Sequence, residues 1–197
     1  MNTEDSEHDL DAILRSELPM LEVQLKNGSI DEKRQAFDRL CELGQTAKLL
    51  IPVVVSIVDQ RSSWLTTSML IKLLKATGDV RIVQALQRAN RLQGLGILDQ
   101  ADCFRYGAKE LEDDLLSYIW QHRYAPGNPA RPEVVKVLGE KGGQEAVKMM
   151  KALLVELGEY IELQAKKDVK DFENAAQISL REEVHKSIRQ LGERGIR

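Results

Sequence analysis

Leu73-Leu74-Lys75-Ala76-Thr77-Gly78-Asp79-Val80-Arg81-Ile82-Val83-Gln84-Ala85-Leu86 decides the fold. Apolar side chains at three- and four-residue spacing run up to Gly78, and glycine suits the left-handed turn that ends a helix. Asp79 is an N-cap residue for a second helix, whose core stripe is expected at Val80, Val83, Leu86 and Ala89. Helix, two-residue turn, helix is a unit that cannot bury its apolar face alone, so copies of it must stack.

Outward from that stretch the pattern recurs. Leu40 and Leu43 lead to Gly44 and then to Ala47 and Ile51; Leu138 and Gly139 lead to Gly142 and then to Ala146 and Val147; Ile188 and Leu191 lead to Gly192. The glycines at 44, 78, 142 and 192 are spaced by 34, 64 and 50 residues, close to one pair, two pairs and one lengthened pair. No stretch alternates with a period of two. Leu, Glu, Lys and Ala dominate, and aromatic residues make up only 5% of the 197 residues, which disfavours an all-β sandwich or barrel.

About nine helices are expected: 9–26 with a break or kink at Pro19, 29–44, 47–59 with a bend or late start at Pro52, and a helix capped by Ser62 or Ser63 that ends at Gly78. There follow 79–89, 99–123, 132–141, 144–168 and 171–193, with a proline-rich loop from Tyr124 to Pro132. Residues 1–28 form an acidic N-terminal helix, 29–197 a repeat domain, and 94–132 an irregular middle that fits no repeat.

The turns around Gly78 and Gly142, with Lys33, Ala36, Leu40, Leu43, Ala47, Ile51 and Pro52 in an earlier unit, resemble the HEAT-like repeat family over roughly residues 29–192. The resemblance implies an all-α, right-handed superhelix of antiparallel helix pairs, a HEAT-like α-solenoid whose second helices line a concave face. The family spans several functions, among them scaffolds, transport factors, lyase-like chaperones and a few DNA-repair enzymes.

Charge narrows the field. The chain has 28 basic and 31 acidic residues, but residues 1–32 hold nine acids against two bases, leaving a net of +4 on the remainder. Between Arg61 and Arg105, seven bases face three acids. Arg81 and Arg88 are seven residues apart and Arg88 and Arg91 three, so they are neighbours on one helix face. Given the implied concave face, Arg81, Gln84, Arg88 and Arg91 are the expected partner-binding residues, with Trp64 as an apolar anchor and Lys148 as an outlying contact.

Catalytic patterns are thin. His8, His122 and His185 stand in no metal-ligand spacing, and no Walker A loop, GxSxG or GxGxxG is present. Glu110, Glu112, Asp113 and Asp114 are expected to spread round the exposed side of a helix. No catalytic residue of the alkylated-base glycosylases within the resembled family maps onto this chain.

Cys41 and Cys103 are too few for a disulfide framework, and the acidic first residues are unlike a signal peptide. The longest apolar run, Leu49–Val58, is half a membrane span and contains Pro52 and Ser56. The expectation is therefore a cytoplasmic, non-catalytic adaptor with no cofactor, no metal and no membrane contact, holding a protein partner on its concave face. The alternative is a nucleic-acid-binding HEAT-like protein, with or without alkylated-base glycosylase-like activity, and an accessory lyase or chaperone role is implied by the resemblance alone. The sequence does not specify self-association.

Overall fold

The computed structural model describes residues 16–125, 127–165 and 171–196. Among them the structure is all helical, with no strand. The chain divides into two compact units, 1–94 and 95–197, and the division falls at Gly94-Leu95, where the irregular middle was expected to begin.

The first unit contains α1 (Leu18–Asn27), α2 (Ile30–Leu43), a 3-10 segment (Gly44–Leu50), α3 (Ile51–Asp59), α4 (Thr67–Thr77) and α5 (Val80–Arg88). Ser29 starts α2 with a capping box: its hydroxyl accepts from Glu32 N–H at 3.3 Å, and its own N–H donates to the Glu32 carboxylate at 2.7 Å. Pro52 falls in the first turn of α3, where a missing N–H costs nothing, so the helix starts late as the sequence allowed. Likewise Pro19 sits in the first turn of α1, and residues 9–15 of the helix expected there lie outside the described residues.

Thr66, rather than Ser62 or Ser63, caps α4 and accepts from Met69 N–H at 3.3 Å, because the chain makes turns from Gln60 through Leu65 first. Gly78 is left-handed at φ 62°, and the Asp79 carboxylate accepts from Arg81 N–H at 3.0 Å, as read from the sequence. Val80, an expected core position, is exposed at 45%, as is Ile30 at 56%: both are the first residue of their helix, where a side chain lies beyond the packed face. Ile82, Val83, Ala85 and Leu86 fill the core from α5 instead.

Helices pack both on sequence neighbours and on next-but-one partners. Helix α2 lies against α4 and α3 against α5, while α4 and α5 also touch across the Gly78 turn. The described part of the acidic first helix, α1, buries Leu18, Leu21 and Leu25 and contacts α2 and α3. Ile30–Asp59 is long and apolar enough to cross a bilayer by composition, but this stretch consists of α2, the 3-10 segment and α3, which bury Phe37, Leu40, Ile51, Val54 and Val58.

The second unit contains α6 (Ile97–Arg105), a 3-10 turn (Lys109–Leu111), α7 (Glu112–Gln121), α8 (Ala130–Lys141), α9 (Gln144–Ala165) and α10 (Asp171–Glu193). The single helix expected over 99–123 is broken in two, because Gly107 adopts φ 122° and the chain turns before α7. Here α6 lies on α8, α8 on α10 and α7 on α9, and the sequence neighbours α9 and α10 also pack along each other.

Within this unit Arg105 reaches from α6 to Glu133 (2.5 Å) and Glu140 (3.0 Å) on α8. Arg131, 2% exposed, donates to the carbonyls of His122 (3.2 Å) and Arg123 (2.8 Å) just past the end of α7, where the helix dipole favours a cation. Gly142 keeps φ at −63° and is needed for room instead: a Cβ there would stand 2.4 Å from the Leu138 carbonyl. Gly192 lies inside α10 rather than at a turn.

Candidate partner-binding cleft

Helices α3 and α5 lie side by side and end together. Each is followed by a residue in left-handed backbone, Arg61 at φ 55° and Asn90 at φ 53°, the only non-glycines with positive φ among the described residues. The two ends share one hydrogen-bond pattern. Arg61 N–H donates to Val58 O (2.9 Å) and Ser62 N–H to Ile57 O (3.4 Å); Asn90 N–H donates to Gln87 O (2.9 Å) and Arg91 N–H to Leu86 O (2.8 Å). These are Schellman-type closures of successive helices.

Between them lies a cleft of about 490 Å³, lined by Val58, Asp59, Arg61, Arg88, Asn90 and Arg91, with Ala89 in its wall. Arg88 clasps Asp59 across the gap, Nε to Oδ1 at 3.3 Å and Nη2 to Oδ1 and Oδ2 at 3.2 and 3.1 Å. Both side chains are about half exposed (51% and 47%), so water screens the pair and its stabilising effect is about 0–1 kcal/mol. Half-buried Arg91 donates through Nη1 to the Leu65 carbonyl at 2.8 Å, which fixes the guanidinium. Arg61 is exposed and reaches no acceptor among the described residues. Three guanidinium groups against one carboxylate leave the cleft positive, with several N–H donors uncommitted.

Of the six residues named from the sequence, the structure gathers two, Arg88 and Arg91. Arg81 stands in the first turn of α5, about 10 Å along the helix from Arg88. It is occupied there: Nε and Nη2 grip Asp79 at 2.9 and 2.7 Å, and Nη2 also reaches the Lys48 carbonyl at 3.0 Å. The hydrogen bond from Arg81 holds the Asp79 carboxyl below its ordinary value. Gln84 is exposed on α5 but does not line the cleft. Trp64 is 7% exposed and meets Phe37 edge to face at 6.3 Å, so it is chiefly a core residue. Its rim borders a separate cleft of about 300 Å³ with Lys26, Lys33 and Gln60. Lys148 belongs to the second unit and binds Glu145 at 2.6 Å.

Sequence reasoning counted Arg61 among the bases but missed its place, because seven-residue spacing groups residues on one helix and cannot join the ends of two. No sequence signal marked the two endings as alike, since Asp59-Gln60-Arg61 and Arg88-Ala89-Asn90 share no residue in register.

The remaining candidates fall elsewhere. Among the described residues no group of three His, Cys, Asp or Glu gathers to hold a metal. His122 lies tilted on the Tyr118 ring at 4.6 Å, and His8 lies outside the described residues. Asp113 and Asp114 are exposed as expected, but Glu112 turns inward and accepts from Gly143 N–H at 2.6 Å, ahead of α9. Trp120 is 36% exposed, with the Arg123 guanidinium 4.5 Å above its ring.

No family, curated protein or solved structure matches this chain.

Proposed function

We propose that the chain is a non-catalytic protein-interaction module of the cytoplasm, built from HEAT-like helix pairs, that holds a protein partner at the arginine cleft of its first unit. The observation that carries this reading is the cleft itself: three arginines around one carboxylate, open to water, on helix ends already fixed by the core. Next-but-one packing within each unit supports the solenoid part of the reading, because stacked helix pairs place first helices beside first helices and second beside second. In that arrangement α3 and α5 are successive second helices, the ones the resemblance assigns to the concave face.

Affinity capture of the tagged chain from its native lysate, with and without nuclease, tests the proposal. A stoichiometric protein that survives nuclease supports it. Recovery that collapses with nuclease contradicts it and favours nucleic acid. One observation speaks for that second reading: Arg123 lies over both Trp120 (4.5 Å) and Tyr124 (4.6 Å), a cation-aromatic stack of the kind that receives bases. Against it, Glu156 sits beside the same guanidinium at 3.5 Å.

A further inference from the structure

Glycine is the usual residue at the left-handed position after a helix, because any Cβ is crowded there. Six described glycines take positive φ, and the two described non-glycines that do so both border one cleft. Backbone strain that coincides with a cleft marks side chains kept for what they contact rather than for the turn they make. The Arg61 guanidinium in particular reaches no acceptor among the described residues, so its N–H donors stand open to the cleft.

The chemistry of that ligand is written in the internal pair. Asp59 shows that the Nε–Nη2 edge of Arg88 receives a carboxylate in two-pronged geometry. The pair is exposed and screened, so exchanging Asp59 for another carboxylate costs little. Arg91, tethered through Nη1 at 2.8 Å, presents its remaining N–H groups without further loss of side-chain freedom. The C-terminal ends of α3 and α5 place partial negative charge on the floor, so the three guanidinium groups, and not the helix ends, carry the attraction for an anion.

Resting on the interaction reading above, we infer that the cleft takes an acidic peptide segment of a protein partner, one carboxylate of which displaces Asp59 from Arg88 while Arg61 and Arg91 hold its neighbours. Asp59 is then an internal competitor, and removing its charge strengthens binding.

The test is fluorescence anisotropy of a labelled hexaglutamate peptide with the full chain at low salt, beside a labelled oligothymidylate of equal charge. Arg88→Ala is expected to weaken peptide binding by about tenfold. Asp59→Asn is expected to tighten it by roughly threefold to tenfold, since the Arg88 fork is released. Arg61→Gly is expected to weaken binding while leaving the melting temperature equal to or above that of the parent chain, because glycine relieves the strained turn. Melting curves of all three variants confirm that losses come from the cleft and not from unfolding.

Asp59→Asn that leaves peptide affinity unchanged or lowered overturns the inference, as does oligothymidylate binding more tightly than peptide and responding to the same substitutions. The two proposals fail separately. A nuclease-resistant protein captured equally by the parent and Arg88→Ala overturns the cleft assignment and leaves the interaction reading standing. Capture that collapses with nuclease overturns the interaction reading and the inference that rests on it.

Discussion

Replacing Gly139 by alanine puts the helix-on-helix packing of the second unit to a test of sign. Gly139 is buried in α8, where α10 crosses it, and a Cβ at that position would stand 2.5 Å from the Cβ and Oγ of Ser187 and 2.7 Å from its Cα. A rotamer change can move Oγ but not the backbone, so the helices must separate by about 1 Å to restore van der Waals spacing. That movement also strains the buried hydrogen bond from Ser187 Oγ to the Val135 carbonyl, 3.1 Å. Overpacking of this kind costs about 1–3 kcal/mol, and the weakened hydrogen bond about 1 kcal/mol more. The helix propensity of alanine over glycine offsets about 1 kcal/mol.

The net expectation for Gly139→Ala is a loss of about 1–3 kcal/mol, or a fall of roughly 2–12 °C in melting temperature for a chain of this size. Urea and thermal melts followed by circular dichroism read it directly. Adding Ser187→Gly recovers part of the loss, since the clash with the serine side chain is gone and only the close approach of the backbone is left. The double-mutant cycle then returns a clear coupling between the sites. If α8 and α10 did not meet here, the same alanine would stabilise the chain by about 1 kcal/mol. A rise in melting temperature refutes the packing.

Asp79 is held below its ordinary carboxylate value of 3.8 by the hydrogen bond from Arg81, so its stabilising effect is complete above that value and is lost as pH falls through the lowered one. Asp79→Asn keeps the cap but removes the ion pair, and it should flatten the acid side of the stability profile below about pH 4; an unchanged profile rules this origin out. Burial pushes the Cys41 thiol up to about 11, and Cys103 is fully buried, so the folded chain should react slowly with an aromatic disulfide reagent at neutral pH and expose both thiols in denaturant. Rapid labelling of the native chain contradicts that packing. Thr66→Ala should cost about 1 kcal/mol through loss of the α4 cap, whereas Ser62→Ala and Ser63→Ala should cost little; the reverse order refutes the observed helix start.

What the sequence made legible was local and periodic. The Gly78-Asp79 turn, the late start at Pro52 and the helices over 144–165 and 171–193 follow from apolar spacing and end residues, which act within one or two turns of chain. Three features escaped because they depend on neighbours. The strong apolar stripe on both sides of Gly107 masks the break there, although only the backbone of Gly107 itself decides it. Arg81 looks like Arg88 on a helical wheel, but at the start of α5 it lies within reach of Asp79 and the Lys48 carbonyl, and at the end Arg88 does not. Arg61 enters the cleft from a different helix end, and left-handed backbone at an arginine has no sequence signature.

The most direct test of the central claim pairs the parent chain with Arg88→Glu in nuclease-treated capture from the native lysate. Glu at 88 faces Asp59 across the cleft and reverses its charge, while the exposure of both side chains keeps the cost to the fold small. A stoichiometric partner is expected with the parent and its loss with Arg88→Glu, the two chains melting within a few degrees of each other. A partner retained in full by Arg88→Glu contradicts the claim.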